Sequence, residues 1–419
     1  MFFRHKIVIL VVLVLVVFPA TSSVRYYATT IVKDGIKTLR VRYAGSNEVE
    51  RPYLTLDGDE RLEISFDQMS HDTHFYTFTL LHLNADFTQS SLMSSEYLEG
   101  FTTQDITDYD HSSLTQTLYT HYSFEFPNDD MRPKVSGNYA IKIYEDGNTD
   151  DEVAFVVFQI AEQTADIEAV VRSNTDFEFN GRYQQLDIDL DLRDNPINTP
   201  DEVTIVVQQN NRQDNIVVLN QPTFLNGQKL QYKNNRALIF EGGNEYRRFD
   251  ISSEYIMGRN VDFVQFDHNN YHAFLFADEN RATTPYVFEP DANGQFVVNA
   301  ERRDDDDFEA DYMFVHFMLP APSPWFGGSI YVMGDFCFNR LADENRMSYD
   351  FEHKCYTYTT FLKQGAYEYL YVGLEGNKPQ ATTQFFEGSH WQTRNEYTIY
   401  VYYRPFSSRY HRLLAIKKL

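Results

Sequence analysis

The side chains that come closest to a metal-binding set are His71-Asp72-Thr73-His74, with Asp67 just upstream. Imidazole nitrogens and carboxylate oxygens together suit a borderline cation. The segment falls in a polar turn between Phe66-Asp67 and an apolar run opening at Phe75, so it reads as a solvated loop and no metal is assigned. The run Asp304-Asp305-Asp306-Asp307 offers oxygens to calcium, but it lacks the glycine and the spaced ligands that organise such a loop, and it reads as a solvated, charged face. No G-x-S-x-G, H-E-x-x-H, P-loop or G-x-G-x-x-G string occurs, which removes the strongest local signatures of hydrolases, zincins and nucleotide enzymes. Paired carboxylates of the glycosidase kind are a spatial property that a chain with 61 Asp+Glu leaves open. The expectation is a protein without catalytic residues or cofactor, and not an enzyme.

Two cysteines are present, Cys337 and Cys355, on either side of a loop between apparent successive strands. In an oxidising compartment a disulfide closing that hairpin is the candidate bond, with a model-dependent gain of about 3 kcal/mol, and two buried thiols are the alternative. Aromatic side chains are abundant, with 30 Tyr and 34 Phe against 2 Trp. Trp325-Phe326 after the Pro-rich residues 320–324, Phe385-Phe386, Trp391 and residues 400–403 are the candidates for stacking on sugar or anchoring a protein partner. Most of the aromatics belong in a core, and the partner-facing surface is not assigned.

The elements that must position these groups are strands. Gln185-Leu186-Asp187-Ile188-Asp189-Leu190-Asp191-Leu192 alternates polar and apolar, so one face is core and the other is carboxylate. Comparable β-rich runs recur at 75–83, 138–144, 153–160, 203–207, 312–319, 329–332, 367–372 and 397–403, punctuated by turn clusters such as Asn226-Gly227 and Asn293-Gly294. No segment sustains a capped helical period. The predicted class is all-β, as tandem immunoglobulin-like or early-set-like β-sandwiches. A polar exit after the hairpin 137–160 places the first boundary near Thr164, and the turn at Pro290-Asp291-Ala292-Asn293-Gly294 places the second near Gly294. The expected domains are therefore 24–164, 165–294 and 295–419.

Compartment follows from the first residues. Arg4, His5 and Lys6 precede the apolar run 7–18 and the small residues of Pro19-Ala20-Thr21-Ser22-Ser23, so residues 1–23 read as a cleaved secretory signal peptide. The apolar run is shorter than the roughly 20 residues that a membrane span needs, and no later segment is apolar enough to cross a bilayer. A net charge of −25 repels phosphate backbones and the basic residues are scattered, which excludes a nucleic-acid partner. The exception is the tail from Arg404 onward, with five Lys and Arg and no acidic residue, which reads as a Lys-protected edge strand or a docking tail.

The order of short strings resembles the plug proteins of the type IX secretion system. In the first module these are Pro52-Tyr53-Leu54-Thr55-Leu56, Leu62-Glu63-Ile64-Ser65-Phe66-Asp67, Glu96-Tyr97-Leu98-Glu99-Gly100-Phe101, Tyr119-Thr120-His121-Tyr122 and Ser136-Gly137-Asn138-Tyr139. In the middle module Gly243-Asn244-Glu245-Tyr246-Arg247-Arg248-Phe249-Asp250 resembles the family's most characteristic string, followed by Arg281, Tyr286, Asp291-Ala292-Asn293-Gly294 and Asp311-Tyr312. Glu245 and Arg247 share one strand face, where structural ion pairs with neighbouring strands are expected. The third module, with residues 328–336 and 362–369, is similar to early-set immunoglobulin-like domains. Gln68 stands where the family has a second Asp, and Leu83-Asn84 where it often has Cys.

What the resemblance implies is a monomeric, periplasmic, non-enzymatic protein, peripheral to the outer membrane. Its partner would be the translocon barrel, whose periplasmic opening it would seal when no substrate is passing. An exported glycan-binding protein, expected to show coplanar exposed rings in the third module, and a secreted cargo protein with a C-terminal sorting module are the alternatives.

Overall fold

Alternating strands dictate three two-layered sandwiches in the computed structural model, which describes residues 24–46, 50–376 and 378–419. The expected signal peptide, residues 1–23, lies outside the described residues. In the first sandwich, one sheet runs in the order Thr30–Ile31, Glu152–Ala161, Gly137–Glu145, Tyr76–Leu83, Thr103–Ile106, with Leu54–Thr55 alongside the end of Glu152–Ala161. It faces Ile36–Tyr43, Leu62–Gln68, Thr120–Phe126 and Asp108–His111 across a core that includes Phe66, Phe78, Tyr122 and Tyr139.

The alternation at Gln185–Leu192 works in the second sandwich as the sequence suggests. Leu186, Ile188 and Leu190 of strand Tyr183–Asp191 are buried, while Asp187, Asp189 and Asp191 point outward to Arg172, Lys233 and Lys229. The opposing sheet corrects the predicted domain limits. Val203–Gln209 and Ile216–Leu219 supply only half of it, and Tyr397–Tyr403 and Arg412–Lys418 supply the rest, with Val203 opposite Tyr403. The second sandwich is thus built from residues 166–241 and 397–418, and the third is inserted within it.

The expected boundary near Gly294 consequently falls inside the third sandwich. One of its sheets pairs Gly365–Glu375 with Arg247–Asp250, Phe296–Val298 and Gly328–Met333. The other runs Val261–Asp267, Asn270–Leu275, Tyr312–Pro320, Cys355–Lys363, Ser348–Asp350. The chain leaves and re-enters the second sandwich at one place, where His390 N–H donates to Gly243 O at 2.8 Å and Asn395 Nδ2 donates to Gly242 O at 2.7 Å. The physical reason for the discontinuity is cover. Two strands cannot roof the apolar face that Leu186, Ile188 and Leu230 present, and Ile399 and Val401 complete the roof.

Candidate functional site: the junction of the sandwiches

Asp67 ends the Phe-Asp pair of strand Leu62–Gln68 and is fully buried. Its carboxylate accepts from His121 Nδ1 at 2.5 Å, from the Tyr312 hydroxyl at 2.6 Å and from Lys363 Nζ at 2.7 Å, the last residue being 296 positions away in the third sandwich. Lys363 is equally buried, also donates to Asp307 O at 2.7 Å and lies over the Tyr119 ring at 4.1 Å. Burial pushes the Asp67 carboxyl up, but Lys363 and the His121 hydrogen bond outweigh it and hold it at about 2. A desolvated ion pair whose carboxylate accepts from three donors therefore joins the first and third sandwiches.

The neighbouring groups explain the other charge clusters. Asp305 caps the short helix Asp306–Glu309 by accepting from Asp307 N–H, and Asp306 accepts from Ala300 N–H at 2.8 Å. Asp307 is not part of a solvated face: it pairs with Arg40 and, at 3.3 Å, with Arg42 of the first sandwich. Asp311 accepts from Gln116 and Thr117 N–H at 2.6 and 3.0 Å. His71 goes to Ser112 at 3.0 Å and His74 to Glu145, so these histidines and Asp67 have three different destinations. Among the described residues no group of three His, Cys, Asp or Glu side chains is placed to hold a metal ion.

A cleft of about 880 Å³ opens where the three sandwiches meet, with Arg40, Tyr53, Tyr400, Asp305 and Phe296 among its walls. Arg51 anchors its floor, donating to Glu396 at 2.9 Å, Asp335 at 3.2 Å and Asn293 O at 2.7 Å. Asn293 belongs to the Asp291–Gly294 turn singled out in the sequence. Gly294 has φ +90, and a Cβ there would stand 2.5 Å from the Tyr246 ring, so only glycine fits. Glu368 holds the turn by accepting from Ala292 and Gly294 N–H, and Asp291 accepts from Tyr246 N–H at 2.5 Å. Burial pushes Glu368 up to about 7 and Asp291 up to about 6.

The Gly243–Asp250 string leads into a second buried network. Arg247 reaches Glu387 at 3.0 Å and Asp278 at 2.9 Å, and Arg281 reaches the same Glu387 at 2.8 Å. Asp278 also accepts from the Tyr369 and Tyr371 hydroxyls, each at 2.7 Å. Glu245 accepts from Tyr286, and its carbonyl from Arg281 at 2.9 Å. The partners are thus loop residues and not the strand neighbours expected. Glu387, Arg40 and Lys363 escape sequence reading because a charge beside apolar residues, as in Phe385-Phe386-Glu387 or Leu362-Lys363, is the only local sign of them, and Arg51 and Asp278 because they stand beside another charge, Glu50 and Glu279, as surface residues do.

Cys337 and Cys355 are both free. They are not the two ends of a hairpin: Cys355 begins a strand that pairs with Pro320 and Asp350, while Cys337 lies in the short helical turn Asp335–Cys337 that follows a strand of the opposite sheet. Burial raises the Cys337 thiol to about 12. Of the aromatic candidates, Phe386, Tyr402 and Tyr403 are core, Tyr400 lines the cleft, Trp391 is half-buried and Phe326 is exposed. Trp325 and Phe385 meet at 44°, which is not the coplanar arrangement expected of a glycan platform. The basic tail ends in an edge strand, and three of its five charges pair within the chain: Arg412 with Glu162, Arg409 with Glu96 and Lys418 with Glu50, all in the first sandwich.

The Asp67, Asp307 and Arg51 pairs use their charges to join modules, and the Arg247–Glu387 network uses its charges within the third sandwich. The family model described as "Type 9 secretion system plug protein 1st domain" matches residues 36–162. A solved structure described as a hypothetical protein from Parabacteroides merdae is 38% identical and superimposes with a TM-score of 0.92, over 94% of this chain and 99% of that one. No curated protein matches the sequence.

Proposed function

This chain belongs to the type 9 secretion system plug protein family, and from that premise we propose that it binds the translocon barrel of the outer membrane and seals its periplasmic opening when no substrate occupies the channel. The role is mechanical, without catalysis. Among the described residues no helix is long and apolar enough to cross a membrane; in this reading the protein is held at the envelope by its partner. The observation that carries the reading is the buried Asp67–Lys363 pair, with its Arg40–Asp307 neighbour, which ties the first sandwich to the third. A body that blocks a pore against a flux of unfolded chains must resist bending between its modules, and desolvated pairs held by several hydrogen bonds fix one geometry where an exposed pair would not.

The test is affinity capture of the tagged protein, without residues 1–23, from membranes solubilised in mild detergent, followed by mass spectrometry. The expected result is a very large outer-membrane barrel at near-equal stoichiometry, lost when cargo fills the channel. Recovery of no barrel would sink the proposal.

A further inference from the structure

In the third sandwich, Ala273, Met313, Val315, Phe317 and Leu319 point inward, so the alternate residues of the same strands form an outer face. Register sets Phe263 opposite Phe274 and Phe274 opposite His316 in one row across the sheet, and His272 opposite Phe314 and Phe314 opposite Phe361 in the next. The rings stack along these rows, with centroids 4.5, 4.3, 5.0 and 4.6 Å apart. Three of the four ring nitrogens of the two histidines are used within the face, His272 Nδ1 meeting His316 Nε2 at 2.9 Å and His316 Nδ1 meeting Thr359 at 3.0 Å. Gln265, Met318, Thr357 and Thr359 complete the middle of the face, where no Asp, Glu, Lys or Arg stands, while by the same register Asp267 and Asp350 lie on its two outer edge strands and Lys363 at its buried end.

One end of this face is already a protein interface. Tyr312 and Lys363 extend the rows and are buried against Asp67 and Tyr119 of the first sandwich, with Phe361 stacked on Tyr312 at 5.2 Å. The remainder is open to solvent, Phe263 being 45% and Met318 40% exposed. Planes inclined by 10–20° in three of the stacks mean that the rings cover one another's flat faces and turn their edges outward. A sugar needs a free flat face to stack on, whereas apolar side chains of a protein pack well against ring edges.

We propose that this outer face is a docking surface for an uncharged, apolar protein surface, the continuation of an interface that the chain itself begins. Its occupant is the periplasmic rim of the translocon barrel, an identification that rests on the plug reading. The same capture assay tests it with Phe263→Asp combined with Met318→Asp, both at exposed positions, beside Phe179→Asp on the second sandwich, which is 72% exposed, as control. The double variant should retain at least tenfold less barrel and the control as much as the wild type. Equal retention by the double variant would overturn the docking face and leave the plug reading standing; no barrel on the wild type overturns both. Should thermal melting show the double variant unfolded, a photo-crosslinking residue at position 318 decides: a cross-link to the barrel supports the face, and its absence overturns it.

Discussion

Asp67 keeps its charge in a place from which water is excluded, and this is tolerable only because three donors reach it. Removing Lys363 alone strands a buried carboxylate, so Lys363→Met should cost about 3–5 kcal/mol in chemical denaturation. Adding Asp67→Asn removes the stranded charge, and the double variant should recover part of the loss; costs that simply add would contradict the coupled pair. Sequence reading brings Asp67 into view through the Phe-Asp string and His121 through Tyr119-Thr120-His121-Tyr122. It cannot bring Lys363 to them, because the contact spans 296 positions and a lysine at a strand end ordinarily faces water. The cysteines fail for the opposite reason, since their spacing suggests a hairpin that Ser348–Asp350, intervening between them, prevents.

Turns carry more than their length suggests. The Asp291–Gly294 turn is legible as a turn from its Asn-Gly, but it reads as a domain boundary when it is in fact clamped by Glu368 against the floor of the cleft. Glu368 and Asp291 have folded-state values near 7 and 6, above those of unfolded carboxyls, so the folded state binds protons more tightly. Their contribution is fully present below about pH 4 and is lost as pH rises through 6 to 7. Asp67 has the opposite sign, and its contribution is lost only as pH falls towards 2. Melting temperature should therefore be higher at pH 5 than at pH 8, and Glu368→Gln should remove much of that difference. An unchanged slope in the variant would exclude Glu368 as its source. Strands with clean alternation, such as Tyr183–Asp191, are legible down to the buried side chains, because period-two patterning and burial have the same cause.

At the scale of the whole molecule, the sequence yields the all-β class and the sandwich architecture, but not their nesting. Pairing of Val203 with Tyr403 leaves no local trace, and nothing in either strand says which distant partner will cover it. The nesting makes a prediction. Joining Gly242 to Asn395 by a short Gly/Ser linker excises the third sandwich where the chain ends already touch, and the product should remain soluble and β-rich with a cooperative melt. A chain ending at residue 294 lacks two strands of the second sandwich and should show no cooperative melt for it; if it melts as a complete second sandwich, the nested topology is wrong. The edge strand Arg412–Lys418 has a further consequence in time. As the polypeptide emerges from N- to C-terminus, the first and third sandwiches have all their strands while the second still waits, its apolar sheet uncovered, for a segment made last. That strand also hydrogen-bonds back to the first sandwich, with Glu162 and Thr164 N–H donating to Leu413 and Leu414 O, so the final stretch acts as a latch: closing the middle module and fastening it to the first are one event, and a chain cut short by even this one strand forfeits both.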